Sequence, residues 1–540
     1  MNLNKLFFVV MFSSSYVFGQ EIGTTEVKVL EGFRSQIPEA SRLNENATFA
    51  DTIKEDRLQL YEMVDQNLKS DYKTKPLAVA KVKDDKIPEL YGMQIRGGFG
   101  SAFTTKADIV YNSKRSRKLT YGVIASHFAN KYYLAKNSKN NMHVFAKKIG
   151  SAYTFLANLD YNRITAFYDH EKTNLVSDKF FRNRFAYTKL SFSAISKEVD
   201  EKKLKSHTNI FISDFNECSE NQIHLSSNLS KTIDGRPYKM TIEFNDYLRY
   251  NNSGSEFKNT DFKIFSISPS TNFSKYNVDV DLGFDFYLTS DDSPMALFPK
   301  LKATKELVKD VLLIYGGLDH NQRKNTLKSL SDENPYIHSY GMNQSILGDS
   351  SFLQDLKVTD IHELYFGMRN VLGSGEVMEG RIAYGIVKNF EHFILINHQN
   401  YSRFRALYFD VNVKQFNANV RYSKEINNII SIHANADYLS WDEDVYHRSD
   451  LNANLNVLIN LRDKIKLTPS IKYIGKKRVM DKDISKIPAQ IHVDLSLYYV
   501  YSKQLSAYLN LNNLTNTTED LWLGYRGIGF NGLFGVSFSF

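Results

Sequence analysis

Three aspartates alternate along one strand-like stretch and form the most suggestive polar feature of the sequence. Asp279, Asp281 and Asp285 lie in VDVDLGFDF, where apolar residues occupy the intervening positions. Because side chains of a strand alternate between two faces, the three carboxylates share one face. Such a row of like charges needs water or basic neighbours such as Lys239 or Lys263. We interpret it as a wall of ion pairs; the functional alternative is a cation-preferring stretch of a pore.

Histidine is the residue type best suited to acid–base catalysis near neutral pH. The candidates are His320, His433 and the pair His492 and Asp494, which lie two residues apart. A hydrolase needs such a histidine beside a nucleophile and an acid at one rim of the fold. The 13 histidines are instead scattered over strand-like and loop-like stretches. This distribution is typical of wall and loop residues, and we expect neither an enzyme nor a bound cofactor.

Two acidic runs could supply the oxygen ligands that calcium prefers. The stronger run lies in SWDEDVYHRSD and the weaker one in a turn; they comprise Asp442, Glu443, Asp444 and Asp450, and Asp291 and Asp292. Their spacing is not that of an EF-hand. A solvated charge run is the favoured interpretation, and we assign no metal site.

Charge and cysteine content narrow the class of protein further. The net charge of +8 is modest for 540 residues, and Lys and Arg are interleaved with acids, so we expect no nucleic-acid partner. Cys218 is the only cysteine and cannot pair within the chain. An exported protein of this kind needs another means of holding itself together, and closure of a sheet would supply it.

The N-terminus predicts export. Residues 1–19 combine Lys5, an apolar run and a small residue, Gly19, as in a secretory signal peptide. Residues 20–88 are charged and lack alternation, which indicates a periplasmic segment, a possible reduced plug, with a basic stretch from Lys73 to Lys86. Residues 89–540 form the third predicted region, described next.

Persistent alternation of apolar and polar residues from Leu90 onward predicts an all-β protein. The apolar faces require strands of about nine to eleven residues, the length that crosses a bilayer. Twenty-two strands can be placed, one of them beginning at Phe404, and short connections such as residues 461–464 alternate with long ones such as 169–179. This arrangement predicts a transmembrane antiparallel β-barrel in the outer membrane of a Gram-negative cell, with its short turns in the periplasm.

The chain ends on an alternating strand whose apolar face carries four phenylalanines. Phe530, Phe534, Phe538 and Phe540 share this face, which we expect to contact lipid. The preceding residues Asn512–Asn516 and the pair Gly524 and Tyr525 resemble the C-terminal end of a TonB-dependent receptor. The terminal Phe540 resembles the signal that the barrel-assembly machinery recognises, so the four phenylalanines are our candidate assembly signal.

The resemblance has two departures. Arg526 and Gly527 reverse the usual Gly-Arg order, and residues 20–88 are shorter than the family's plug domain of well over a hundred residues. Thr25–Val29 resembles a TonB-contacting box. The resemblance implies TonB, or another periplasmic or outer-membrane protein, as a partner besides lipid and the assembly machinery.

Two functions remain open from the sequence. The first is a receptor-like barrel that passes or imports a solute across the outer membrane. The second is a non-transporting subunit of a secretion or assembly complex that docks a periplasmic partner. Because a barrel of this width leaks unless it is filled, we expect residues 20–88 to fold into the lumen, or outer loops such as 318–357 to close it.

Overall fold

The computed structural model describes residues 91–540, apart from 115, 117, 133–134, 168–181, 198–199, 201, 217–219, 250–261, 291–294, 338–356, 374, 399–400 and 482. Several expectations therefore lie outside the described residues: the signal peptide, the segment 20–88, the Thr25–Val29 box, Cys218, and the pair Asp291 and Asp292. No helix among the described residues is long and apolar enough to cross a membrane.

Twenty-two strands form one antiparallel sheet. In chain order they are β1 (Met93–Gly100), β2 (Thr104–Asn112), β3 (Leu119–Tyr132), β4 (Ala135–Ile149), β5 (Tyr153–Phe167), β6 (Arg182–Ser196), β7 (Lys205–Phe215), β8 (Glu220–Ile233), β9 (Arg236–Arg249), β10 (Phe262–Lys275), β11 (Val278–Thr289), β12 (Met295–Val308), β13 (Leu312–Lys324), β14 (Val358–Gly373), β15 (Glu376–Lys388), β18 (Val413–Glu425), β19 (Ile430–Trp441), β20 (Leu451–Leu461), β21 (Ile465–Ile474), β24 (Gln490–Val500), β25 (Leu505–Asn512) and β28 (Asn531–Ser539).

The remaining elements lie in connections between these strands. They are α1 (Leu327–Glu333), the hairpin of β16 (Glu391–His398) and β17 (Tyr401–Tyr408), the pair β22 (Lys477–Arg478) and β23 (Lys486–Ile487), and the pair β26 (Asp520–Trp522) and β27 (Tyr525–Arg526). The expectation of a barrel strand beginning at Phe404 is wrong. Phe404 belongs to β17 and is fully buried. The sequence suggested a barrel strand here because this hairpin alternates apolar and polar residues as the barrel strands do.

The sheet closes on itself through its first and last strands. Gln94 of β1 pairs with Ser539 of β28, and the pairing continues to Gly100 opposite Leu533. At the end of this seam, the backbone N–H groups of Met93 and Phe540 each donate to the other residue's carbonyl at 2.9 Å. Closure leaves no free sheet edge, so the all-β, 22-stranded outer-membrane barrel predicted from the sequence is confirmed.

The two ends of the barrel differ in the length of their connections. One end carries both termini of the barrel and short turns, such as Asp234–Gly235 and Tyr276–Asn277, where both residues have positive φ. Two-residue turns of this kind match the twist of paired strands. The other end carries the long connections, which include α1 and the three short strand pairs. This asymmetry matches the periplasmic turns and outer loops of bacterial barrels.

The last strand points its phenylalanines outward. Phe534, Phe538 and Phe540 are exposed, whereas Leu533 and Ser537 on the other side of β28 are buried. Phe530, just before the strand, is also exposed. Their role as an assembly signal stays a prediction.

We expect Phe540→Asp to reduce the amount of assembled barrel several-fold, because it places a charge on the lipid-facing side of the closing strand. Ser539→Ala is the matched control, since Ser539 lies on the opposite side. The measurement is the folded fraction in outer membranes, read from the mobility of unboiled samples on gels. Equal folded fractions for both variants would contradict this orientation.

Candidate functional site

The three predicted aspartates of β11 face the lumen. Leu282 and Phe284, which alternate with them, point outward and are exposed. Asp285 is buried near the outer end of the strand. The other two carboxylates accept hydrogen bonds from β10: Asp281 from Asn272 at 2.8 Å and Asp279 from Ser274.

The basic partner of Asp285 differs from the expected one. Lys300 on β12 lies 2.7 Å from the Asp285 carboxylate, where Lys239 or Lys263 was expected. Lys263 instead lies 3.7 Å from Asp246. The reason is register: Lys300 is paired with the residue two positions before Asp285 and is therefore its diagonal neighbour on the lumenal face.

The outer end of the β13–β14 hairpin leaves the barrel wall and folds inward. Along β14, Leu364, Phe366 and Met368 point outward and are 61%, 51% and 40% exposed. Val358 and Asp360 lie on the same side of the strand, yet they are only 1% and 8% exposed. Because side chains alternate along paired strands, the outward side of the hairpin tip must be covered by other parts of the molecule.

That cover is the lumenal side of the neighbouring wall. His320 at the tip stacks on Phe298 of β12, with ring centroids 3.9 Å apart, and its Nδ1 lies 3.5 Å from Asp285 of β11. Lys324 forms an ion pair with Glu243 of β9. These contacts place the tip over the lumen and hold it against the wall formed by β9 to β12.

A short helix continues from the tip toward the next part of the wall. Helix α1 begins with a capping box, which satisfies its first backbone donors. The N–H of Leu327 donates to Glu220 at the start of β8, at 3.3 Å. Beyond the helix, Asn183 of β6 donates to the carbonyl of Ile337 at 2.6 Å. The segment 325–337 therefore connects β13 to β6 and β8.

Loops from the far side of the barrel meet this segment in one apolar cluster. Tyr336 stacks on Tyr525 of β27, with ring centroids 3.9 Å apart, and Ile337 forms a parallel bridge with Phe404 of β17. We call this cluster the mouth cap; its buried members are Phe185, Phe215, Leu327, Leu330, Ile337, Phe393, Phe404, Ala406, Val479, Ile487, Leu523 and Tyr525. Because they come from the outer ends of β6 and β7 and from four connections spread around the ring of strands, the mouth cap spans the outer mouth.

A buried carboxylate ties the hairpin β16–β17 to the loops on either side. Glu391 is fully buried, and its carboxylate forms ion pairs with Arg323 of β13 and, at 2.5 Å, with Arg448. It also accepts a hydrogen bond from the Thr359 hydroxyl at 2.9 Å. Burial acts to raise the pKa of Glu391, but the two guanidinium groups outweigh it and the pKa lies below its ordinary value. Glu391 is therefore a carboxylate in the closed cap.

Two histidines lie inside the same loop assembly in neutral form. His447 Nδ1 donates to the carbonyl of Phe393 at 2.8 Å, and its ring stacks on Trp522. His392 is also buried, next to Arg448. Burial lowers the pKa of each histidine to about 4. Protonating either ring would place a charge inside the cap.

Acid is therefore expected to loosen the mouth cap. An exposed histidine binds a proton below about pH 6.5, whereas His392 and His447 resist it until about pH 4. The open form thus binds more protons, and the closed cap loses stability as the pH falls from about 6.5 to 4. The lowered pKa of Glu391 acts in the same direction below about pH 4.5.

Tryptophan fluorescence can measure this effect. The chain has two tryptophans, so Trp441→Phe leaves Trp522 as the single reporter inside the cap. We expect a red shift of its emission between pH 6.5 and pH 4, which His447→Gln reduces. An emission maximum that does not change over this range would contradict the assignment.

The other residues selected from the sequence do not converge on a site. His492 Nε2 lies 3.2 Å from the Gln490 side chain, and Asp494 accepts from the N–H of Asn513. His433 lies on β19, between Ser423 and Asn456 on the adjacent strands.

The acidic run after β19 is used in loop contacts. Asp442 accepts from the N–H of Lys414 at 2.7 Å, and Asp444 forms an ion pair with Arg478. Both acids thus have basic or backbone partners, and the interpretation as a solvated charge run stays a prediction.

No protein-family model and no curated protein sequence matches the chain. Solved structures do match. The ferric-catecholate import receptor Fiu from E. coli K12 is 12% identical, with a TM-score of 0.59 over 83% of this chain and 82% of that one. The siderophore receptor PirA from Pseudomonas aeruginosa is 11% identical, with a TM-score of 0.59 over 83% and 80%.

A copper transporter, OprC, is equally similar: it is 12% identical, with a TM-score of 0.59 over 84% of this chain and 82% of that one. Identities this low establish the fold and leave the substrate open. In each case the match extends over most of both chains. The protein is a 22-stranded outer-membrane β-barrel that resembles TonB-dependent receptors in fold.

Proposed function

We propose that the protein imports a solute across the outer membrane through a lumen gated by the mouth cap. The observation that carries this proposal is the inward fold of the β13–β14 tip, which the outer loops join in one cluster over the mouth. Loops fixed by buried ion pairs at a barrel entrance suit a gate, because they have one closed arrangement that a ligand can release. The similar proteins include a ferric-catecholate import receptor and a copper transporter, so these are the first solutes to test.

The alternative is a non-transporting subunit of an outer-membrane complex. The apolar core of the mouth cap favours this alternative, because opening the cap would expose that core to water. A barrel that stays closed permanently avoids this cost. The periplasmic partner, whether TonB or another protein, stays a prediction, since the Thr25–Val29 box lies outside the described residues.

A disulfide lock separates the two functions. Ile337 and Phe404 are bridge partners, and paired residues of this kind lie within the Cα separation of about 4.4–6.8 Å that a disulfide needs. The variant combines Ile337→Cys and Phe404→Cys with Cys218→Ser, which removes the native thiol. Each single cysteine variant serves as a control for loss of core packing.

Uptake of labelled ferric catecholates and of copper is then measured in cells that lack their own receptors. A gated importer should take up solute in the reduced form, lose uptake on oxidation and recover it with a reductant. Uptake that is unaffected by the lock would contradict gating by the mouth cap. A lack of uptake by the unmodified protein for every solute would favour the non-transporting subunit.

A further inference from the structure

A groove opens on the outward side of the barrel, away from the lumen. It has a volume of about 560 Å³ and lies across strands β8 to β11. Its outward-pointing lining includes Leu229, Met240, Leu282 and Phe284. In an outer-membrane barrel this side contacts the hydrocarbon of the bilayer.

The groove lies at an interruption of the sheet. β10 and β11 are paired up to Ile267 opposite Phe286, and again from Ser270 opposite Gly283, but not in between. Pro269 lies in this gap and has no N–H to donate to the ladder. The groove therefore lies where the backbone pairing of the sheet is interrupted.

The lining of the groove ends at Lys231 and Tyr238, which flank the turn Asp234–Gly235 on the short-turn side of the barrel. Lys231, which lines the groove, is exposed and is the register partner of Tyr238. Arg236 follows the turn, is exposed, and shares the outward side with Tyr238. Asp234 is the acid of this turn, so the two cations Lys231 and Arg236 outnumber its single negative charge.

We propose that the groove binds one acyl chain of an anionic phospholipid from the periplasm-facing leaflet, with its phosphate at Lys231 and Arg236. The hydrocarbon around this face supplies the chain, and the apolar lining accepts it without burying polar groups. The two cations at headgroup level attract the phosphate of the lipid. Their positive charge favours a lipid with a net negative headgroup over a zwitterionic one. The inference rests on the barrel's orientation in the outer membrane and is independent of the proposed import.

The experiment counts retained lipids by native mass spectrometry. The full-length protein is reconstituted in nanodiscs of phosphatidylglycerol and phosphatidylethanolamine. It is then freed from the nanodisc inside the mass spectrometer, and the lipids that stay bound to it are counted. One variant removes the cations (Lys231→Ala with Arg236→Ala), and another fills the groove (Leu229→Trp). The control is Lys148→Ala: Lys148 pairs with the exposed, outward Leu119 and precedes another short turn, away from the groove. Gel mobility of unboiled samples checks that each variant is folded.

We expect the unmodified protein and Lys148→Ala to retain one phosphatidylglycerol at least fivefold more often than either groove variant. Equal retention by all folded forms would mean that only the general lipid annulus was seen, and it would overturn the proposal. Retention without preference for phosphatidylglycerol would overturn the headgroup assignment. A dimer that excludes lipid from the groove would also overturn it, because the occupant would then be a second copy of the chain.

Discussion

Replacing Glu391 with alanine is expected to open the mouth cap while the barrel stays closed. The change leaves the guanidinium groups of Arg323 and Arg448, whose side chains are only 17% and 8% exposed, without their shared carboxylate, and Arg448 keeps its ion pair with Glu333 at 2.9 Å. Breaking a buried ion pair from one side costs about 3–5 kcal/mol. Since about 1.4 kcal/mol is a factor of ten, the open fraction should rise by roughly a hundredfold or more.

A buried reporter thiol measures this opening in intact cells. Ala406 is 1% exposed within the mouth cap, and Ala406→Cys adds one sulfur atom, with Cys218→Ser as background. The labelling rate by a maleimide too large to cross the membrane should rise strongly with Glu391→Ala. Asp444→Ala is the matched control, because the ion pair of Asp444 with Arg478 is exposed and such pairs contribute about 0–1 kcal/mol. Equal labelling rates in both variants would contradict a latch at Glu391.

Gly535→Ala is expected to prevent most of the protein molecules from closing into a barrel. Gly535 lies in the seam opposite Gly98, and a Cβ there would lie 2.4 Å from the Gly97 carbonyl oxygen and 2.3 Å from the Tyr508 ring. Because one obstacle is backbone, β1 and β28 would have to separate. The pairing of β1 with β28 closes the ring, so its loss leaves two free edges.

Gly532→Ala is the control on the same strand, since a Cβ there would meet nothing closer than 3.4 Å. The measurement is the band that shifts in apparent mass between unboiled and boiled gels. We expect this band to be nearly absent for Gly535→Ala and normal for Gly532→Ala. A normal band for both would contradict the close approach at the seam.

Alternation was sufficient to predict the barrel because every wall strand has one face toward lipid and one toward the lumen. The same signal failed at Phe404, where a loop hairpin alternates because it is buried on one side in the mouth cap. Strand pairing also fixes partners that composition leaves open: Lys300 lies beside Asp285, although Lys239 and Lys263 were equally plausible from the sequence.

No pattern in the sequence predicted which residues meet in the mouth cap. Glu391 and Arg448 are separated by 57 residues and lie in different loops. Their meeting depends on the order of strands around the ring and on the inward bend of β13–β14. One indirect sign was available: apolar residues such as Leu327 and Leu330 in a predicted outer loop have no lipid to face, and so require a buried cluster.

Single-channel conductance in planar bilayers tests the central claim, that the mouth cap closes the barrel. The protein to use lacks residues 21–87, the segment expected from the sequence to fill the lumen, so that the cap alone can close it. This deletion should show no large conductance steps at pH 7, and adding Glu391→Ala should produce them. Large steps from the deletion alone, with the mouth cap unaltered, would contradict the claim.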